Sequence, residues 1–357
     1  MKTKINTTQK NNNTKTNTKK IINWGEYDKS LENRGNFMVF LNAAYLNTIP
    51  ERTGKAGHPT QYTDAVILFL AQLREYMQLP IRQTIGTAKF ILKLADLDLK
   101  LPSRTTISRR LTLLKIPTGL EQTKFDSPII FLPDSTGIKI SGEGEWKVKK
   151  HGTDGKHRQW IKLHIGVDYA TKKIVSSCVS SPDAHDGKYL KRLFRKAKHS
   201  CKRGRGRKVI DQTIGDGSYG GHEQYEYVEG SGSDLLVPPQ KNAVAHYDII
   251  RDTEKMGGRT YGSGGIGCKL GGKLIDEPGW ETRNGYIRDI ERLGRDEWKI
   301  QSGYHKRSIA ETNMYRFKQA FGDKVKSKKR KNQIAEINVR IYLLNTFTGY
   351  GLPRYAT

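Results

Sequence analysis

The stretch WIKLHIGVDYATKKIVSSCVS, Trp160 to Ser180, decides what kind of fold the chain can adopt. WIKLHIGVD alternates strictly, the two-residue period of a strand, and KIVSSCVS follows it as a second strand to pair with. Upstream, IIFLPD (129–134) is an apolar run that stops at an acid. Downstream come a helix near Asp186–Lys198, the strand-like KVIDQTIGD (208–216), a short helix near His222–Val228 and the apolar LLVPP (235–239). Antiparallel strands followed by alternating helices and strands predict a mixed-sheet α/β domain over residues 121–350.

Two further helices close this domain, YHKRSIAETNMYRFKQAFG (304–322) and a segment from about Gln333 to Phe347. At about 100° per residue, Tyr304, Arg307, Glu311 and Lys318 fall within roughly 60° of one another. Ile309, Ala310, Met314, Phe317 and Phe321 occupy the adjoining arc. Alone, that stripe also suits a solvated face with an Arg307–Glu311 pair worth a few tenths of a kcal/mol. A Gly-rich, charged insert near 257–303 fits no element.

The region before residue 121 reads differently. Residues 1–23 form a polar, basic arm with the composition of a disordered segment, and 24–120 read as mostly helical. Thr63 or Asp64 caps a helix carrying AVILFLAQLREYM that stops at Pro80; a second runs from about Ile81 to Leu94, and Ser103 caps a third. Helix, connection, helix with Arg104, Arg109 and Arg110 on the last is the outline of a DNA-reading helix-turn-helix. A small bundle used for dimerisation fits the same pattern, and the connection from Asp96 to Pro102 is long for a tight turn.

Composition narrows the partners. The 63 Lys and Arg outnumber the 36 Asp and Glu, a formal charge of +27 that attracts polyanions. The longest apolar run, AVILFLAQL (65–73), is about half a bilayer span, so no membrane crossing is expected. Three cysteines without a C-x-x-C pair argue against a disulfide scaffold or a zinc site and for a reducing, cytoplasmic setting. Basic clusters at Lys147–Lys150, 202–208 and 324–331 suit either solvated loops or a phosphate-tracking surface.

Asp134 follows an apolar strand in FLPDSTG, and Asp216 follows another in TIGDGSYG. Such an acid is costly to bury unless it is paired or binds a metal. One alone is commonly a turn or cap residue. Two, with Glu311 on the polar stripe, make a set of three carboxylates, and hard oxygen donors without His or Cys suit Mg²⁺ or Mn²⁺. Clustered acids repel without a cation. A two-metal site of this kind performs phosphoryl transfer on polynucleotides.

DSTGIKISGEGEWKVKKHG, WIKLHIGVD, IGDGSYG and YHKRSIAETNMYRFKQAFGDKV resemble, in order, the blocks of the DDE transposases of bacterial insertion sequences, in particular the IS five family. GHPTQYTDAVI and the helical stretch to Leu114 resemble its N-terminal region. The family's Tyr-x2-Arg-x3-Glu-x6-Lys spacing is met by Tyr304, Arg307, Glu311 and Lys318. The resemblance implies an RNase H-like catalytic domain with Asp134, Asp216 and Glu311 as the metal-binding triad. It implies that Arg307 and Lys318 hold phosphates, that Tyr304 packs near the transposon end, and that at least two protomers pair the ends of double-stranded DNA in the nucleoid. A DNA-binding descendant that no longer cuts, or a nuclease that never joins, shares these features.

Trp146, after a Gly-rich turn, reads either as a buried indole or as a hairpin aromatic against DNA bases, with Lys147, Lys149 and Lys150 on phosphates. Asp183 and Asp186 read as loop and helix-cap residues. GSGGIG (262–267) lacks the flanking strand and helix of a dinucleotide site, and Leu274 stands where a P-loop needs Ser or Thr.

Overall fold

The computed structural model describes residues 20–36, 61–121, 123–140, 160–201, 207–243 and 280–356. Its centre is a sheet of β1 (Ile129–Ile140), β2 (Trp160–Asp168), β3 (Ile174–Ser180), β4 (Ile210–Ile214), β5 (Asp234–Leu236) and the short β6 (Lys324–Val325). The order is β3-β2-β1-β4-β5, with β6 also pairing β1. The first three strands are antiparallel; β1–β4, β4–β5 and β1–β6 are parallel. The mixed sheet expected from the sequence is present.

Local chemistry explains the reversal between β2 and β3. Asp168, at the end of β2, accepts hydrogen bonds from the Thr171 amide at 2.8 Å and its hydroxyl at 2.6 Å. These close a tight turn through Tyr169–Lys173. Mid-strand, Gly166 admits the Phe131 ring from β1; a Cβ there would lie 2.0 Å from the ring's Cε2. Parallel β1 and β4 need a crossover, which is α5 (Gly187–Ser200).

The ten α-helices of the described residues sort by the face they cover. On one face, α5 and α6 (His222–Glu229) bury Leu190, Leu193, Phe194, Tyr225 and Val228 against Phe131, Val175 and Leu235. On the other, α9 (Ser308–Phe321) and α10 (Arg330–Tyr350) pack against Leu132, Ile138, Ile165 and Val167. The N-terminal helices join this second core: α2 (Asp64–Tyr76), α3 (Ile81–Leu94) and α4 (Arg104–Leu111) contribute Ile67, Leu70, Leu73, Ala88, Leu92, Ile107 and Leu111. Thr63 caps α2 through the Val66 amide and Ser103 caps α4 through that of Thr106. α2 is buried almost all round, polar Gln72, Arg74 and Glu75 included, because it lies beneath α10. The expected boundary at residue 120 therefore runs through a shared core. α1 (Trp24–Gly35) packs on α10 as well.

A closed ionic network fastens α2 to α10. Arg340 Nε lies 2.7 Å from Glu75, its Nη2 lies 2.6 Å from Glu336, and Arg74 stands 3.4 Å from each acid. Glu336 also accepts the Lys326 and Ser327 amides, and Arg340 donates to the Lys324 carbonyl.

Two expectations change. The Gly-rich insert expected over 257–303 is helical from residue 280, where α7 (Trp280–Leu293) and α8 (Arg295–Gln301) form. Tyr286 donates to the Leu235 carbonyl and Arg295 to that of Pro239, so these helices cover the β5 edge. The single helix expected from Tyr304 instead starts at Ser308: Tyr304–Arg307 form a 3₁₀ turn after Gly303, whose φ of 71° is left-handed. Of the arm expected over 1–23, residues 20–23 are ordered against the C-terminal segment, where Ile21 bridges Tyr355 and the Ile22 amide bonds the Arg354 carbonyl at 2.9 Å; residues 1–19, the Trp146 segment and GSGGIG lie outside the described residues.

Candidate active site

β1 is shared between two parallel partners. It pairs with β4 only at Ile129–Phe131 and with β6 only at Lys139–Ile140. Between them, its side away from β2 carries no strand among the described residues. Asp134 sits in this opening, opposite Ile165 of β2. The acid expected at a strand end is thus mid-strand, and what ends near it is the pairing with β4. Its carboxylate accepts the Ser135 amide at 2.9 Å. Burial pushes Asp134 up to about 6; Asp216 and Glu311 add to the rise, while the Ser135 amide and Arg307 oppose it.

Asp216 arrives from the same opening, two residues after β4 ends at Ile214. Its side chain accepts the Ser218 amide at 2.9 Å and the Ser218 hydroxyl, capping the 3₁₀ turn Gly217–Tyr219. Glu311 lies in the first turn of α9, more than half exposed, and bonds Arg307 Nη1. Arg307 Nη2 stands 3.9 Å from Asp134 and 3.7 Å from Asp216. Acids from a strand, a strand exit and a helix therefore surround one guanidinium.

Tyr304 is half-buried with its ring 6.3 Å from Trp298, and burial raises its phenol above the usual value. Lys318 lies on α9 seven residues past Glu311, about two turns.

When ionised, three carboxylates against one guanidinium leave an excess of negative charge. No three His, Cys, Asp or Glu side chains of the described residues form an ion-holding group as they stand. Arg307 lies between the acids instead. The donor chemistry nonetheless fits a hard divalent cation: every donor is a carboxylate oxygen, and the acids outnumber their cation.

The remaining expected residues scatter. Arg104 and Arg109 are exposed on α4. Arg110, expected to face DNA, is turned inward: it bonds Asp64 at 2.7 Å and the Tyr62 carbonyl at 3.2 Å, tying α4 to the start of α2. Trp146, Lys147, Lys149 and Lys150 lie outside the described residues. Asp186, expected as a cap, makes no side-chain cap bond. It pairs with Lys162 at 2.8 Å and with buried His164 at 3.3 Å. His164 also hydrogen-bonds Ser180 and stacks on Tyr189. No spacing in the sequence joins β2 to this acid some twenty residues on.

No helix of the described residues is long and apolar enough to cross a membrane. Two family models match the chain, both described as a transposase DDE domain: one over residues 126–346, the other over 32–143. The first match spans Asp134, Asp216 and Glu311. The mixed sheet, with its order β3-β2-β1-β4-β5, fits an RNase H-like domain of that kind.

Proposed function

Because the chain belongs to the transposase DDE-domain family, we propose that it binds the ends of an insertion sequence of the IS five type and cuts and joins DNA strands there. The reaction is hydrolysis of a phosphodiester at the element's end, then in-line attack of the freed 3′-OH on a target phosphodiester. One observation carries the reading: Asp134, Asp216 and Glu311, far apart in sequence, all surround Arg307.

Asp134, Asp216 and Glu311 would hold Mg²⁺ or Mn²⁺. When bound, such ions supply Lewis acidity toward the phosphodiester and the attacking oxygen in a two-metal mechanism. Arg307, released from the acids, would bind the phosphate they no longer share with it. Lys318 extends that cationic line along α9 for the DNA backbone, and Tyr304 packs beside the end. No side chain serves as a covalent nucleophile. Arg104 and Arg109, with Trp146, Lys147, Lys149 and Lys150, are assigned to DNA contacts; Arg110 supports α4 from behind. Two protomers at least, acting on nucleoid DNA in the cytoplasm, hold the two ends.

A labelled element end, incubated with Mg²⁺ or Mn²⁺, tests this. Wild type is expected to cut and join it, while Asp216→Asn and Glu311→Gln bind it but fall in rate by about a thousandfold or more, a loss of about 4 kcal/mol in transition-state stabilisation. Binding without cleavage by wild type would leave a DNA-binding descendant; cleavage without joining would leave a nuclease.

A further inference from the structure

Helix α5, GKYLKRLFRKAKHS, carries six Lys or Arg, one His and no acid. Its apolar side is spent on the core beneath it. Arg192, Arg195, Lys196 and His199 fall at i, i+3, i+4 and i+7, a single stripe along the helix, and all four are exposed. The stripe borders a cavity of about 520 Å³ between α5, the outer edge of β3 and Asn338 and Ile341 of α10.

Three features say what this groove takes. First, Arg192 and Arg195 have no carboxylate partner among the described residues, whereas Lys191 and Lys208 have theirs. Crowding unpaired cations is unfavourable unless an anion answers them. The Lys196 side chain is exposed along its stem, but its ammonium is partly desolvated where it reaches the Ser177 carbonyl, and that, with Arg192 beside it, holds it below its usual value. Second, the β3 edge is closed to an added strand. Asn345 bonds both the amide and the carbonyl of Ile174, and Lys196 bonds the Ser177 carbonyl at 2.6 Å. A peptide strand is thereby excluded, and the groove is left to a ligand read by charge. Third, the stripe has the right length. Seven residues of helix rise about 10 Å, about three backbone steps of one DNA strand at 3.4 Å each along the duplex axis.

The strand register fixes where the groove lies. Ser177 faces Ile165, and Ile165 faces Asp134. The groove is thus level with Asp134 but two strand spacings away, about 10 Å across the sheet. We propose that the Arg192–Arg195–Lys196–His199 stripe, beside the closed β3 edge, holds the phosphate backbone of duplex DNA away from the reacting phosphodiester. This rests on the reading of the chain as a DNA-acting enzyme, and it adds a second contact track at the opposite end of the sheet from α7 and α8.

The test is a salt titration of binding to a labelled duplex by the full chain. Wild type is compared with Arg192→Gln/Arg195→Gln and with Lys191→Gln/Lys198→Gln, which removes equal charge from α5 about 100° round from the stripe. The groove pair is expected to flatten the slope of log K against log salt by about 2, near 0.9 per lost phosphate contact, and the control pair by much less. Equal slopes in all three proteins, or equal losses from both pairs, would overturn the groove. The cleavage assay above is independent: cutting with an unchanged slope removes the groove alone, and a groove-dependent slope without cutting removes the activity alone.

Discussion

Two groups of charged residues in this chain look alike on paper and behave oppositely. Arg74, Glu75, Glu336 and Arg340 balance two cations with two acids, and Arg340 and Glu336 are wholly buried. Nearby backbone amides and a carbonyl satisfy most of what remains. Around Arg307, three acids face one cation, their contacts are long apart from that of Glu311, and Glu311 is open to solvent. Balance with burial fastens two helices together. Imbalance with access leaves a site that can take up further positive charge. Position in the sequence does not separate the two kinds of group; stoichiometry does.

Three measurements can break or sharpen that contrast. The largest effect is expected from Arg340→Met, which strands Glu75 and Glu336 in the core. Urea unfolding should show a loss of about 3–5 kcal/mol. Glu311→Gln should cost almost nothing in the same experiment, because it removes one of several mutually repelling acids. If the two variants lost similar stability, the contrast would be gone.

Next comes the intermediate case, His164 with Asp186, Lys162 and the stacked Tyr189. Burial lowers His164 from 6.5 to about 4, Lys162 adding to the fall and Asp186 opposing it. The unfolded chain therefore takes up the proton first, and stability declines as pH falls from about 6.5 toward 4. The expected loss is about 2–3 kcal/mol over that window. His164→Gln should flatten this part of the stability–pH curve; an unchanged curve would mean that the imidazole is already charged in the folded protein.

The smallest effect concerns the open group directly. Mg²⁺ or Mn²⁺ at about ten times its dissociation constant should stabilise the fold by about 1.4 kcal/mol, raising Tm. Asp134→Asn should abolish that gain. A gain kept by the variant would put the ion elsewhere.

Much of the sheet was legible in the residues. WIKLHIGVD announces β2 through period two, KIVSSCVS announces β3 as the run that follows to pair with it, and the apolar run before Asp134 announces β1 up to the point where β4 leaves it. Tyr304 falls outside α9 for a local reason: a left-handed Gly303 and a tighter 3₁₀ turn interrupt the 3.6-residue period. The Arg307–Glu311 contact survived because it spans the junction into α9. Residues 280–301 went unread because their glycines and charges masked the apolar spacing of Ile287, Ile290 and Trp298. Pairings between distant segments, such as Arg340 with Glu75 or Asp186 with His164, leave no periodic trace and come only from the fold.

The split pairing of β1 has one more consequence. Through β6, the chain leaving α9 returns at once to the strand that bears Asp134, and the Lys139 amide bonds the Asp323 carbonyl at 2.8 Å. The helix that bears Glu311 is thus moored to β1 by its exit, whatever path its entrance has taken. The span between those two acids is therefore set by the short return from Phe321 to Lys324, not by the longer route between β5 and α7.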